Sequence, residues 1–140
     1  MNFQYLPKLM NDIFIFIAGS LLILICVANG FAYEKLGWNR NLANTEPFFQ
    51  QVFKVHSLYI VLIMFAMAGA CFFATAELIT ADTLIAKGFL GFTALFWGLR
   101  VVLHLFFYDK QIKEENPLWN ALFLATFTYL AAIFLTLTFI

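Results

Sequence analysis

Charge is scarce in this chain. Asp, Glu, Lys and Arg make up only 11% of it, eight acidic against eight basic residues, whereas soluble domains carry about 25%. So few charges cannot cover a water-facing surface of ordinary density, and their even balance leaves no basic stripe for nucleic acid. Cysteine is nearly missing as well. Cys26 and Cys71 stand alone inside apolar runs, which excludes a disulfide framework and a cysteine-ligated zinc site; both are expected to behave as small apolar side chains. Histidine occurs twice, as His56 and His104, too few for the three or four clustered ligands of a zinc centre. There is no glycine-rich phosphate loop between a strand and a helix. Ser57 is adjacent to His56, but neighbours on a helix point apart, so they form no nucleophile–base pair. The ten-residue alternating segments of a membrane β-barrel are also missing.

What the chain has instead is hydrocarbon. It is 64% hydrophobic, with 19 phenylalanines among 140 residues and a mean hydropathy of +0.88. The charges cluster between four long apolar runs at about 13–33, 55–76, 84–108 and 118–140, each near the roughly 20 residues that cross a bilayer as a helix. Helices are required because backbone polar groups in lipid must be satisfied within the segment. The predicted architecture is therefore all-α: one membrane domain over 1–140, an integral membrane four-transmembrane-helix bundle.

Boundary signals refine this picture. Asn11-Asp12 reads as an N-cap for the first run, and Asp82-Thr83 precedes the third. Asn116-Pro117 places a cap residue before proline at the first helical position. Thr45-Glu46-Pro47 looks like an earlier start for helix two, near residue 47, with Trp38, Phe48 and Phe49 suited to the headgroup region. The first run, 20 residues over 13–32, exceeds the 7–15 of a signal-peptide core and reads as a retained membrane helix. The short 77–82 link predicts that helices two and three form an antiparallel hairpin. Ala66, Ala70 and Ala74 on helix two, and Gly91, Ala94 and Gly98 on helix three, are candidate packing seams. Lys8 and Lys87 fall on one side of the membrane, against Lys35, Arg40, Lys54, Lys110 and Lys113 on the other. The positive-inside rule then puts both termini outside a multi-pass cell (inner) membrane protein.

One stretch resists the hydrocarbon reading. Trp97, Arg100, His104 and Tyr108 recur at helical spacing inside the third run and share one face. Arg100 lies nine residues before Asp109, about 13 Å along a helix. An arginine inside a bilayer costs roughly 3 kcal/mol on insertion scales unless it snorkels, pairs or meets a wet interior. Helix-end carbonyls, Glu46 or Asp109 are structural partners for it. A carboxylate, a lipid phosphate or another anionic group is a functional one. If helices two and three are antiparallel, His56 and His104 reach similar depth, and a bis-histidine haem b becomes an alternative. His56 and His104 would then be axial ligands, and Arg100 or Lys54 would hold the propionates. A third reading is a quinone or anionic small-molecule or lipid site built from Trp97, Arg100, His104, Tyr108, Tyr59 and Lys54.

The segments Phe96-Trp97-Gly98-Leu99-Arg100, His104 and Phe107-Tyr108-Asp109, together with Val55-His56-Ser57-Leu58-Tyr59, resemble small bacterial four-helix membrane proteins with no assigned activity. The resemblance implies a bacterial inner-membrane protein. In that pattern glutamine is common at the position of His104, so a haem ligand there would not be shared by the group. Taken together, the sequence favours a small integral membrane protein without catalytic activity of its own. It would be an accessory or structural subunit, or a lipid-contacting bundle. Its expected partners are the bilayer and other membrane subunits or further copies of itself, with no nucleic acid.

Overall fold

The computed structural model describes residues 5–35, 37, 40, 42–107 and 110–139. It is all-helical, at 90% helix and with no strand among the described residues. Among the described residues the helices are α1 (Tyr5–Lys35), α2 (Pro47–Phe73), α3 (Thr75–Thr80), α4 (Leu84–Phe106), α5 (Lys110–Glu115) and α6 (Pro117–Thr138). Four of them are long and apolar enough to cross a membrane, over Leu9–Phe31, Pro47–Phe73, Leu84–Phe106 and Pro117–Thr138.

The helix ends follow local chemistry. Pro47 and Pro117 occupy first-turn positions of α2 and α6, behind Glu46 and Asn116 as N-caps; a proline there gives up an N–H that has no intrahelical acceptor anyway. Thr83 caps α4, its hydroxyl accepting from the Ala86 N–H at 3.1 Å. At the other end of α4, Lys113 Nζ donates to the Leu105 carbonyl at 2.9 Å, which satisfies one of the orphan acceptors of a helix C-terminus. α1 departs from expectation. It begins at Tyr5, so Asn11 and Asp12 lie within the helix rather than cap it. Pro7 falls in the first turn, where it breaks no hydrogen bond.

The segment between α2 and α4 also differs from the simple turn expected at 77–82. Ala74, at φ −120° and ψ 27°, interrupts the helix, and α3 restarts at once. α3 ends on Ala81 in the left-handed region, at φ 48°, with its side chain fully buried. An alanine there costs about 1–2 kcal/mol in backbone sterics.

Packing pairs the long helices as neighbours in sequence. α4 and α6 share the most extensive contact, α1 and α2 the next, with α1 also touching α3 and α6. Gly91 faces Thr138 and His104 faces Asn120, so α4 descends as α6 ascends. The expected α2–α4 hairpin is therefore corrected: these helices make at most slight contact, because α3 intervenes and packs on α1. Tyr129 joins the two pairs, its hydroxyl donating to the Phe14 carbonyl at 2.9 Å. The core lies between the pairs and includes Ile15, Leu22, Met67, Leu90, Leu130 and Phe134.

Gly19 is the most crowded of the described glycines. A Cβ there would lie 2.8 Å from Phe72 Cζ and 3.0 Å from Cys71 Cβ, so α1 and α2 pack closely where glycine leaves room for the Phe72 ring. The seams expected on α2 and α4 carry less. Ala66 is exposed, Gly98 has no neighbour within 4 Å of an added Cβ, and Gly91 meets only Thr138 at ordinary contact distance.

Candidate functional site

The polar stripe of α4 packs against a matching stripe of α6. Trp97, Arg100 and His104 are spaced i, i+3, i+7, and so are Asn120, Phe123 and Phe127. Antiparallel helices bring two such stripes face to face over two turns. Phe127 is the common contact. Trp97 stacks on it with centroids 5.4 Å apart and planes at 27°. The Arg100 guanidinium carbon lies 5.3 Å from its centroid, and His104 meets it edge-on at 5.8 Å and 80°. Phe123 stacks beyond it at 6.0 Å, and Phe96 packs on Trp97 at 5.4 Å.

Each polar group in this seam has a distinct environment. His104 is buried, and its Nε2 lies 2.7 Å from Asn120 Oδ1, a distance at which the ring N–H donates to the amide oxygen. Arg100 is half-buried and lies six residues before the end of α4, about 9 Å along the axis. Its contact with Phe127 is a cation–π interaction worth about 1–2 kcal/mol where water is excluded. That offsets part of the roughly 3 kcal/mol cost of an arginine at membrane depth. Trp97 is 2% exposed, and its Nε1–H has no hydrogen-bond acceptor among the described residues. A buried donor left unpaired costs about 1–3 kcal/mol. Thr93, one turn away and fully buried, donates instead to the Phe89 carbonyl.

The predicted site residues are thus divided. Trp97, Arg100 and His104 come together in the α4–α6 seam. Tyr108 lies outside the described residues, as do Trp38 and Asp109. Lys54, His56 and Tyr59 are exposed on α2, the helix that pairs with α1. His56 and His104 consequently belong to different helix pairs, and the imidazole nitrogen of His104 nearer α6 is engaged by Asn120 rather than open toward His56. Among the described residues no three His, Cys, Asp or Glu side chains converge as metal ligands do.

Asn120 and Phe127 were not singled out from sequence, although a signal exists. Asn120 is a lone amide near the start of an apolar run, and it shares its face with Phe123 and Phe127 at the same spacing as the α4 stripe. Chemically, the seam offers an indole N–H, a guanidinium and an imidazole–amide pair among aromatic rings. Such a set donates hydrogen bonds and positive charge, which suits recognition of an oxygen acceptor. Comparison with protein-family models, with curated proteins and with solved structures finds no match to this chain.

Proposed function

We propose that this chain is a multi-pass integral membrane protein of the bacterial inner membrane, a four-helix bundle that acts as an accessory or structural subunit without catalysis of its own. The observation that carries the reading is the surface of the four long helices. Only 22–33% of each spanning window is buried inside the fold, and the outward face is apolar: Leu24, Leu58, Leu95 and Leu135, one from each long helix, are all more than half exposed. Soluble monomers rarely leave contiguous apolar patches beyond a few hundred Å². Lipid tails and the helices of neighbouring subunits are the environments that accept such faces. The short connections between the long helices leave the spanning faces as the principal surface for a partner. The excess of basic residues at one end favours an orientation with both termini extracytoplasmic.

Two experiments test this. Single cysteines introduced at 44 and at 82 should differ in labelling by a membrane-impermeant maleimide on intact cells, with 82 reactive and 44 protected; the reverse pattern would overturn the orientation. Native electrophoresis of the tagged protein in mild detergent should show a species well above the size of a monomer or dimer. Migration only as the free chain would remove the accessory-subunit reading.

A further inference from the structure

Trp97 presents a problem that the described residues do not solve. Its N–H is buried and lacks an acceptor among them, and the side chains packed on its ring are aromatic: Phe96 and Phe127. One turn along the same stripe sits Arg100. At 100° per residue, Arg100 falls at the edge of the buried stripe, beside Phe96 and Leu103. Both of these are half-buried, and beyond them Phe92 and Leu99 are more than half exposed. A cation thus stands at the boundary between a dry seam holding an unpaired donor and an apolar outer face. We infer that the α4–α6 seam receives the anionic oxygen of an acyl lipid, which accepts from Trp97 Nε1–H and from the Arg100 guanidinium while its chain lies along Phe92 and Leu99.

The chemistry follows from the donors. Arginine binds carboxylate or phosphate oxygens through a planar fork, and an indole N–H adds a single directional hydrogen bond. A fully soluble anion would have no reason to lie against Phe92 and Leu99, whereas an amphiphile buries its tail there. The inference rests on the membrane-spanning reading but not on the accessory-subunit role. Fatty-acid carboxylates and phospholipid phosphates share the required oxygen, so the test separates them.

The experiment uses the full chain carrying Trp38→Phe and Trp119→Phe, so that Trp97 is the only indole. It is reconstituted into phosphatidylcholine vesicles containing oleate or phosphatidic acid, with bromine on the acyl chains of one component at a time. The expected result is that one brominated anionic lipid quenches Trp97 at far lower mole fraction than brominated phosphatidylcholine, and the arm that does so names the source. Arg100→Gln should weaken that selective quenching by about tenfold, and Lys54→Gln should leave it unchanged. Native mass spectrometry of the otherwise unchanged chain should show the same lipid retained, and lost in Trp97→Phe. Equal quenching by anionic and neutral lipid overturns the proposal, and this comparison requires no charge-removing variant to fold. So does an Arg100→Gln protein that inserts and keeps full selectivity. Failure of the parent chain to resist alkaline carbonate extraction would instead refute the spanning reading beneath it.

Discussion

His104 and Asn120 face each other across 2.7 Å, and this contact ties the last turns of α4 to the first turn of α6. It lies at the end of the helix pair where α5 makes the connection, so it fixes the register in which Trp97 and Arg100 meet Phe127. Asn120→Leu would remove the amide oxygen that the buried imidazole Nε2 meets and is expected to destabilise the fold by about 1–2 kcal/mol. His104→Gln retains an amide able to reach Asn120 and should lose less than His104→Leu. The double variant His104→Leu with Asn120→Leu removes both polar groups and should recover part of the single-site losses. Thermal unfolding in detergent, arranged as a double-mutant cycle, measures the coupling; strictly additive losses would show that the pair is not interacting.

The approach of α1 to α2 depends on Gly19. Because an added Cβ would sit 3.0 Å from Cys71 Cβ and 2.8 Å from a Phe72 ring carbon, Gly19→Ala requires the Phe72 ring to swing aside and Cys71 to give by a few tenths of an ångström. Overpacking of this kind costs about 1–3 kcal/mol, more than the roughly 1 kcal/mol that alanine gains over glycine in a helix. Gly88, which has nothing within 4 Å of an added Cβ, provides the contrast: Gly88→Ala should be neutral or stabilising. Opposite signs for the two variants in the same unfolding assay are the expected result.

Thr83 holds the start of α4 through its hydroxyl and the Ala86 N–H. Thr83→Ala should cost about 1 kcal/mol, and Thr83→Ser or Thr83→Asp should cost much less. Amide hydrogen exchange is the direct measurement. The loss should appear as faster exchange in the first turn of α4, with α6 little affected beyond its contacts there.

The extent to which the sequence disclosed this structure varies with the range of the interaction. The long helices follow from the apolar runs, and proline and threonine mark where α2, α4 and α6 begin, since caps depend on residues within one turn. Pairing was harder to read. The 77–82 link looked like a hairpin turn between α2 and α4. Helix α3 fills part of it instead, ending on Ala81 in the left-handed region, which nothing in the local sequence signals. The α4 stripe was legible through Arg100 and His104, polar groups in an apolar run. Its counterpart was not, because phenylalanine at 123 and 127 is indistinguishable by composition from the other phenylalanines of the chain. Gly19 was likewise hidden: only the position of Phe72 on another helix separates it from glycines that touch nothing.

The junction between the two helix pairs gives the last test. Tyr129 reaches from α6 to the Phe14 carbonyl of α1, and few other polar contacts cross that boundary among the described residues. Tyr129→Phe keeps the ring and removes only the hydroxyl, so the expected loss is small, about 0.6–1.5 kcal/mol. Its location matters more than its size. The α4–α6 pair is held by the Phe127 contacts and by His104–Asn120, and the α1–α2 pair by the Gly19 approach, and neither set involves the Tyr129 hydroxyl. Loosening should therefore appear between the pairs, as faster hydrogen exchange or easier proteolysis around α3 and the 81–83 link, while exchange within the α4–α6 seam stays near its original rate. Uniform acceleration through all four long helices would mean that the pairs unfold as one cooperative unit, with Tyr129 contributing to the whole.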